Sequence, residues 1–356
     1  MKVVSILNVL DLIHTVPEIE KRLADDMSRQ IYNTCIDHVI YRDIEKFREN
    51  IANLNIKWHY RPDLENFFTK NNPKRIIIFG SGEWGRQTLR TLRHSKYKNL
   101  AVSFCDNDKN KWHKNIVDGI DIISPEEAIK LEESVIIIGS IIYENELYQQ
   151  ITSMGYPKER VCMPLRAISG WQYFDYFEPK ENEIFVDGGS ANAGTAVEFK
   201  RWANKGYDYI YSFEANPNSI KVCENNFKKH ELKGQVIAKG LWDERAVLHF
   251  NVHENSGASS IMESGSEIIE TISLDEVLNG NKVTFIKMDI EGAEYKALLG
   301  AEKTIKTWHP RMAICVYHKP EDILEIPALI LSIQSDYKFA LRQYLAHGTE
   351  TVLYAY

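Results

Sequence analysis

The sequence predicts an α/β protein: two successive parallel sheets behind a helical N-terminal segment, the second sheet finished by an antiparallel hairpin. Three observations carry this reading. Strand-like apolar runs alternate with helical stretches through residues 74–165 and again through 183–356, and such alternation builds parallel sheets covered on both faces. Each block opens with an apolar run that ends in a glycine-rich turn before a helix, "RIIIFGSGEWGRQ" (75–87) and "IFVDGGSANAGTAVEF" (184–199). The final runs "YKFALRQY" and "TETVLYAY" are separated only by "LAHG", which reads as a hairpin. The expected organisation is a helical segment over 1–72, a smaller parallel α/β domain over 73–166 and a larger one over 167–356.

Residues 1–72 carry apolar positions at three- and four-residue steps and no strand signal, so they read as helices used for packing or for homo-oligomer contacts. The first block gives strands at "RIIIFG", "AVSFCD", "SVIIIGS" and "RVCMP". Helices fall at "GRQTLRTLRHS", "SPEEAIKLEE" (capped by Ser124, with Pro125 in its first turn) and "ENELYQQITSMG". "RAISGWQYFDYFEPKENE" is an aromatic-rich connection. The second block gives strands at "EIFVDG", "DYIYSFEA", "GQVIAKG", "AVLHFNV", "VTFIKMD" and "RMAICVY" before the hairpin.

Bulk properties exclude several function classes. A formal net charge of −7 argues against a broad nucleic-acid footprint. No apolar run approaches the roughly 20 residues that span a bilayer. The start, "MKVVSILNVLDLIH", is interrupted by Asp11 and His14 and lacks a small-residue cleavage site, so a cytoplasmic protein is expected. Cys35, Cys105, Cys162, Cys223 and Cys315 are scattered without C-x-x-C spacing and read as buried reduced thiols.

The first glycine turn, Gly80-x-Gly82-x-x-Gly85, has the form of a Rossmann-type phosphate cradle, with Asp106 ending the next strand where an acid holds a ribose. Nothing after it resembles a hydride-transfer site, so NAD is not expected. The turn serves either as a packing device or as a seat for a nucleotide or nucleotide sugar.

The second turn is more specific. Asp187 stands at the strand end, Gly188, Gly189 and Ser190 follow, and Gly194 with Thr195 opens the helix. Glu214 ends the next strand, where its carboxylate can accept both hydroxyls of a ribose, and Ala215 and Asn216 lead directly into a helix. Trp242 and Asp243 leave the third strand; Trp242 is either a core residue or a ring that stacks on an adenine, with Asp243 accepting from its amine. In "VTFIKMDIEGAEYKALLGA" an apolar strand delivers Lys287 and Asp289 at its carboxyl end, followed by Glu291 and Glu294; open α/β sheets bind ligands at that end. His318 ends the next strand in "ICVYHKPED".

The motifs "VDGGSANAGT", "SFEANP", "SGASSI", "TISLDEVL", "FIKMDIEGAE", "VYHKPEDILEIP" and "TETVLYAY" occur in order over 183–356, and this block resembles the FkbM-type methyltransferases. The departure from that pattern is Ala193, where the family carries glycine. The 74–165 block more loosely resembles nucleotide-binding-like domains found beside sugar-modifying enzymes. The resemblance implies a class I methyltransferase fold, S-adenosylmethionine as cofactor, and methyl transfer to oxygen on a sugar, nucleotide sugar or glycoconjugate in polysaccharide biosynthesis. It implies that Asp187, Gly188, Gly189, Ser190, Gly194, Thr195, Glu214, Ala215, Asn216, Trp242, Asp243 and Asp289 surround the cofactor. The acid accepts from the cofactor's ammonium end, and the glycines give room to its methionine part.

A sugar hydroxyl is a weak acid, so a base or a metal is expected. His318 is the preferred base, with an unperturbed pKa of about 6.5, and Asp289 and Glu291 assist. Asp289, Glu294 and His318 are also a candidate divalent-metal set. Lys287 is expected to pair with an acid. Ser256, Ser259 and Ser260 are candidate hydroxyl partners for a polyhydroxylated acceptor. The competing readings are a methyltransferase of a non-sugar or lipid-linked acceptor and a silent nucleotide-sugar-binding scaffold.

Overall fold

A computed structural model describes residues 14–61, 63–114, 119–141, 143–251, 260–261 and 267–356. The stretch read above against a leader therefore lies outside the described residues up to residue 13. The chain divides into two compact units. The smaller comprises Arg48–Ser169 with Leu345–Gly348, and the larger comprises the chain up to Phe47, Gly170–Tyr344 and Thr349–Tyr356. The segment expected to be one helical element is thus shared between them.

In the smaller unit, β1 (His59–Arg61) pairs antiparallel with β7 (Arg166–Ile168). This strand corrects the all-helical reading of residues 1–72; its three residues find a partner a hundred positions away, which no local pattern announces. Strands β2 (Arg75–Phe79), β3 (Ala101–Cys105), β4 (Ile122–Ile123), β5 (Ser134–Ile138) and β6 (Val161–Cys162) form a parallel sheet ordered β4-β3-β2-β5-β6. Ile76–Phe79 and Val135–Ile138 are fully buried, as strands covered on both faces require.

In the first glycine turn Gly80, Gly85 and Gly139 are closely packed, while Gly82 faces open space. A Cβ on Gly85 would lie 1.9 Å from the Gly80 carbonyl oxygen, and one on Gly139 would lie 2.7 Å from the same atom. Asp106 is engaged locally. Its Oδ2 accepts from the Ser81 amide (3.0 Å) and from Lys111 Nζ (3.1 Å), and its Oδ1 accepts from the Asp108 amide (2.9 Å). Although burial opposes ionisation, these donors together with the Ser81 hydroxyl hold its pKa below the ordinary value.

The larger unit is built on β8 (Glu183–Gly188), β9 (Tyr207–Phe213), β10 (Gly234–Ile237), β15 (Phe285–Met288), β16 (Arg311–Cys315), β17 (Phe339–Gln343) and β18 (Thr351–Ala355). Their order is β10-β9-β8-β15-β16-β18-β17. The first five are parallel, while β18 runs antiparallel to both neighbours and lies between β16 and β17. The topological switch falls between β8 and β15, so the crevice at their carboxyl ends is where this architecture places ligands. One side of the sheet is held by aromatic packing. Phe185 stacks on Phe199 with centroids 4.3 Å apart, and Phe174 sits within 6.2 Å of Phe185, Phe199, Trp202 and Phe285.

Between β10 and β15 the chain departs from the expected parallel run. The strand β12 (Val247–Asn251) does not join the main sheet. It belongs to a separate sheet, ordered β11-β14-β12-β13, with β11 (Gly240–Leu241), β13 (Ser260–Ile261) and β14 (Glu267–Ile272). β12 is antiparallel to β13 and β14. Its pairing with β14, a strand the sequence reading does not include, leaves Val247 and Ile268 exposed.

The helix Asp26–Tyr41 packs on β17. Asp25 caps it by accepting from the Ser28 amide (2.8 Å) and pairs with Arg342 Nη2 on β17 (2.7 Å). Partial burial opposes ionisation here, yet the bonds from Arg342 and Ser28 hold the Asp25 carboxyl down to about 2. An unfolded aspartate titrates near 3.9, so this stability is present above about pH 4 and is lost as pH falls through about 2. Asp25→Asn is therefore expected to lower the urea midpoint at pH 6, with the gap to the parent chain closing between about pH 4 and pH 2. A gap that stays constant over that range would remove the ion pair from the account.

Candidate active site

The register of β8 against β15 sets Lys287 directly beside Asp187 and Met288 beside Gly188. Both charged side chains are buried, with Lys287 Nζ 3.1 Å from Asp187 Oδ1. The ammonium also donates to the carbonyls of Gly188 (2.9 Å) and Gly189 (2.7 Å). Burial opposes its charge, but Asp187 and Asp289 outweigh burial and keep the Lys287 pKa above its ordinary value. Asp187, expected to meet the cofactor's ammonium end, is fully buried and faces Lys287 instead.

The reason for glycine at position 189 is also internal. Its φ is +77°, and a Cβ there would stand 1.9 Å from the Asp289 carbonyl oxygen. The turn is pinned to the end of β9 by the Gly189 and Ser190 amides, which donate to the Phe213 carbonyl at 3.1 and 3.0 Å. The Ser190 hydroxyl is spent on Ser212 and on that same carbonyl. Ala193, where the family carries glycine, is buried with φ +61° before the helix Gly194–Trp202, in the left-handed region that glycine occupies most easily.

Glu214 closes this corner. Its Oε2 accepts from the Ala191 amide and its Oε1 from the Asn216 amide, both at 2.7 Å. Each carboxylate oxygen has two lone pairs, so both retain capacity for a further donor. Asn216 caps the helix Pro217–Lys229 through the Asn218 amide (2.9 Å). Beyond β10, Lys296 Nζ lies 2.6 Å from Asp243 Oδ2 and 5.8 Å from the Trp242 ring centroid. Asp243 Oδ1 is buried without a hydrogen-bond partner.

At the ends of β15 and β16 the expected acids and histidine converge. His318 Nε2 lies 3.3 Å from Asp289 Oδ1 and 3.5 Å from Glu291 Oε2, and Nδ1 lies 3.0 Å from Glu294 Oε1. Burial works against the imidazolium, yet Asp289 and Glu294 prevail and push the His318 pKa up to about 11. The imidazole is therefore not the free acceptor near neutrality that its ordinary pKa suggests, because three carboxylates surround it. Burial pushes the Glu291 carboxyl up to about 7. Glu291 and Gly292 adopt φ +57° and +90° in succession, and Glu294 turns back to accept from the Ile290 amide (2.8 Å). Ser256 and Ser259 lie outside the described residues, and of Ser260 only its strand position is described.

Residues 188–345 match the family model described as the methyltransferase FkbM domain. Over that span the chain is similar to the FkbM methyltransferases. Residues 72–162 match a second model, the C2185-like N-terminal domain. Among solved structures, the FkbM methyltransferase of Methylobacillus flagellatus KT is 17% identical, covering 93% of this chain and 99% of that one with a TM-score of 0.47. The precorrin-6y C5,15-methyltransferase of Geobacter metallireducens GS-15 is 12% identical over 50% of this chain and 81% of that one, TM-score 0.33. SMU.1697c of Streptococcus mutans, in complex with SAH, is 12% identical over 50% and 91%, TM-score 0.29. The comparison with curated proteins gives no match. Among the described residues, no helix is long and apolar enough to cross a membrane.

The site also holds residues that sequence reasoning missed. Tyr173 donates to Asp289 Oδ2 (2.7 Å) and Tyr317 to Oδ1 (3.2 Å). Gln172 Nε2 bonds both the Tyr173 hydroxyl (3.0 Å) and Glu350 Oε2 (2.6 Å). Asp322 is buried, accepts from the Lys319 amide (3.0 Å), and has its carboxyl pushed up to about 7 by burial and by Glu294. Tyr317 flanks His318 in sequence and was within reach of the motif. Tyr173 comes from the aromatic connection, whose composition signals packing rather than chemistry.

Proposed function

We propose that this chain is an O-methyltransferase that moves the methyl group of S-adenosylmethionine to a hydroxyl of a sugar, nucleotide sugar or glycoconjugate. The observation that carries the reading is the ring of Asp289, Glu291 and Glu294 around His318, one strand from the Gly188–Gly189 turn. The sulfonium arrives activated, so the protein's work is to align acceptor oxygen, methyl carbon and sulfur and to take up the hydroxyl proton. Carboxylates at a strand end suit both tasks, since they accept hydrogen bonds from a polyol and accept its proton. In this reading Glu214 takes the ribose hydroxyls, Trp242 and Asp243 flank the adenine, and the glycine turn borders the methionine part. Asp187 acts at one remove, through Lys287.

Calorimetry with S-adenosylmethionine tests the cofactor half. Glu214→Ala is expected to weaken binding at least tenfold, since a hydrogen bond to a charged group contributes about 1.5–3 kcal/mol; unchanged affinity would refute this placement. For the acceptor half, methyl-labelled cofactor is incubated with a panel of nucleotide sugars. Label appearing as a methyl ether supports the reading, and transfer confined to nitrogen or carbon acceptors sinks it.

A further inference from the structure

We infer that Asp289, Glu294 and His318 form a binding site for one divalent cation at the mouth of the β15–β16 crevice. Binding itself is a property of these side chains; its use in acidifying the acceptor hydroxyl rests on the O-methyl reading above.

Geometry is the first argument. One ligand atom from each of the three residues lies within 4.8 Å of the other two. Ligands on opposite sides of an ion bound at about 2.3–2.5 Å stand less than about 5 Å apart, so a single ion can reach all three. The second argument is the state of the atoms. Glu294 is fully buried, and its Oε2 has no hydrogen-bond partner. The His318 side chain is 8% exposed, and neither of its nitrogens makes a hydrogen bond of good geometry despite the carboxylates around it. Buried polar atoms are seldom left so; a cation would engage Glu294 and one ring nitrogen of His318, leaving the other nitrogen to donate to a neighbouring carboxylate.

Charge points the same way. Three carboxylates, those of Asp289, Glu291 and Glu294, lie within 3.5 Å of one imidazole, which supplies at most a single positive charge. The nearby ammonium groups are committed elsewhere, Lys287 to Asp187 and two carbonyls, Lys319 to the Gly292 carbonyl. The ligands are also oriented from behind, as metal ligands generally are. Tyr173 and Tyr317 hold Asp289, and the Ile290 amide holds Glu294. Two carboxylates with one imidazole and no thiolate suit a cation of the magnesium or manganese kind.

Manganese is the probe, because free Mn²⁺ is counted directly by its paramagnetic resonance signal. Titrating the full chain with MnCl₂ is expected to remove one Mn²⁺ per chain from solution. Glu294→Gln and His318→Ala are each expected to weaken that binding at least tenfold. A cooperative melting transition, measured on the same samples, reports whether each variant is folded. Asp289→Asn provides a third variant should either of the others fail to fold. Absence of Mn²⁺ binding by the parent chain at millimolar metal, or undiminished binding by the folded variants, would overturn the site. Failure of the parent chain to bind S-adenosylmethionine would instead strike the methyltransferase reading and leave the Mn²⁺ result standing.

Discussion

Replacing Lys287 with methionine is expected to destabilise the larger unit by about 3–5 kcal/mol, the usual cost of removing one partner of a buried ion pair. At roughly 2–4 °C per kcal/mol for a unit of this size, its melting transition should fall by roughly 10 °C. The cause is the charge left behind. Asp187 is fully buried and Lys287 Nζ is the cation beside it, at 3.1 Å. The same substitution strips a donor from the Gly188 and Gly189 carbonyls, which shape the turn. Adding Asp187→Leu to Lys287→Met should restore much of the loss, because removing both charges also removes the desolvation cost. Calorimetric melts of the parent, the two single variants and the double variant measure the coupling. A shift of only a degree or two for Lys287→Met would mean that Asp187 is protonated in the fold and that the pair is not ionic.

The arrangement behind that pair was partly legible in the sequence. Apolar β-branched runs ending in Asp187 and in Lys287-x-Asp289 are local signals, and a parallel sheet aligns such strand ends by construction. His318 followed from the same logic one strand further on. What one strand cannot reveal is the register that puts Lys287 against Asp187 and not Asp289, because pairing is decided between strands. The crowding at Gly189 was not legible for a related reason: its neighbour is the Asp289 carbonyl, a hundred residues away. The histidine's environment shows the limit most plainly. Its type suggested a base near neutrality, but its pKa is set by carboxylates that reach it from a turn after a different strand. Strand β12 failed differently, since "AVLHFNV" is a sound strand whose partner, β14, determines which sheet it joins.

Glu291→Gln is expected to lower kcat by about 10²–10⁴-fold, the usual contribution of a general base, while leaving S-adenosylmethionine affinity unchanged. Three acids surround His318, and their surroundings separate their duties. Glu294 is fully buried and returns to the Ile290 amide. Both oxygens of Asp289 receive tyrosine hydroxyls, from Tyr173 and Tyr317. The Glu291 side chain is 32% exposed, against 22% for Asp289 and none for Glu294, so it is the carboxylate best able to meet an incoming hydroxyl. Its backbone supports that role. A non-glycine residue at φ +57° beside Gly292 at +90° costs on the order of 1–3 kcal/mol and persists only where the surroundings enforce it. Here the turn brings the carboxylate to His318 Nε2. Glutamine keeps the size and removes the proton acceptor, so a drop in kcat with little change in the acceptor's KM would separate proton transfer from binding. The Mn²⁺ titration supplies a control, because Glu291 is not among the three proposed ligands and its glutamine variant should bind Mn²⁺ as the parent does. Full turnover by Glu291→Gln would return the base assignment to Asp289 or His318, and loss of Mn²⁺ binding by that variant would move Glu291 into the metal site.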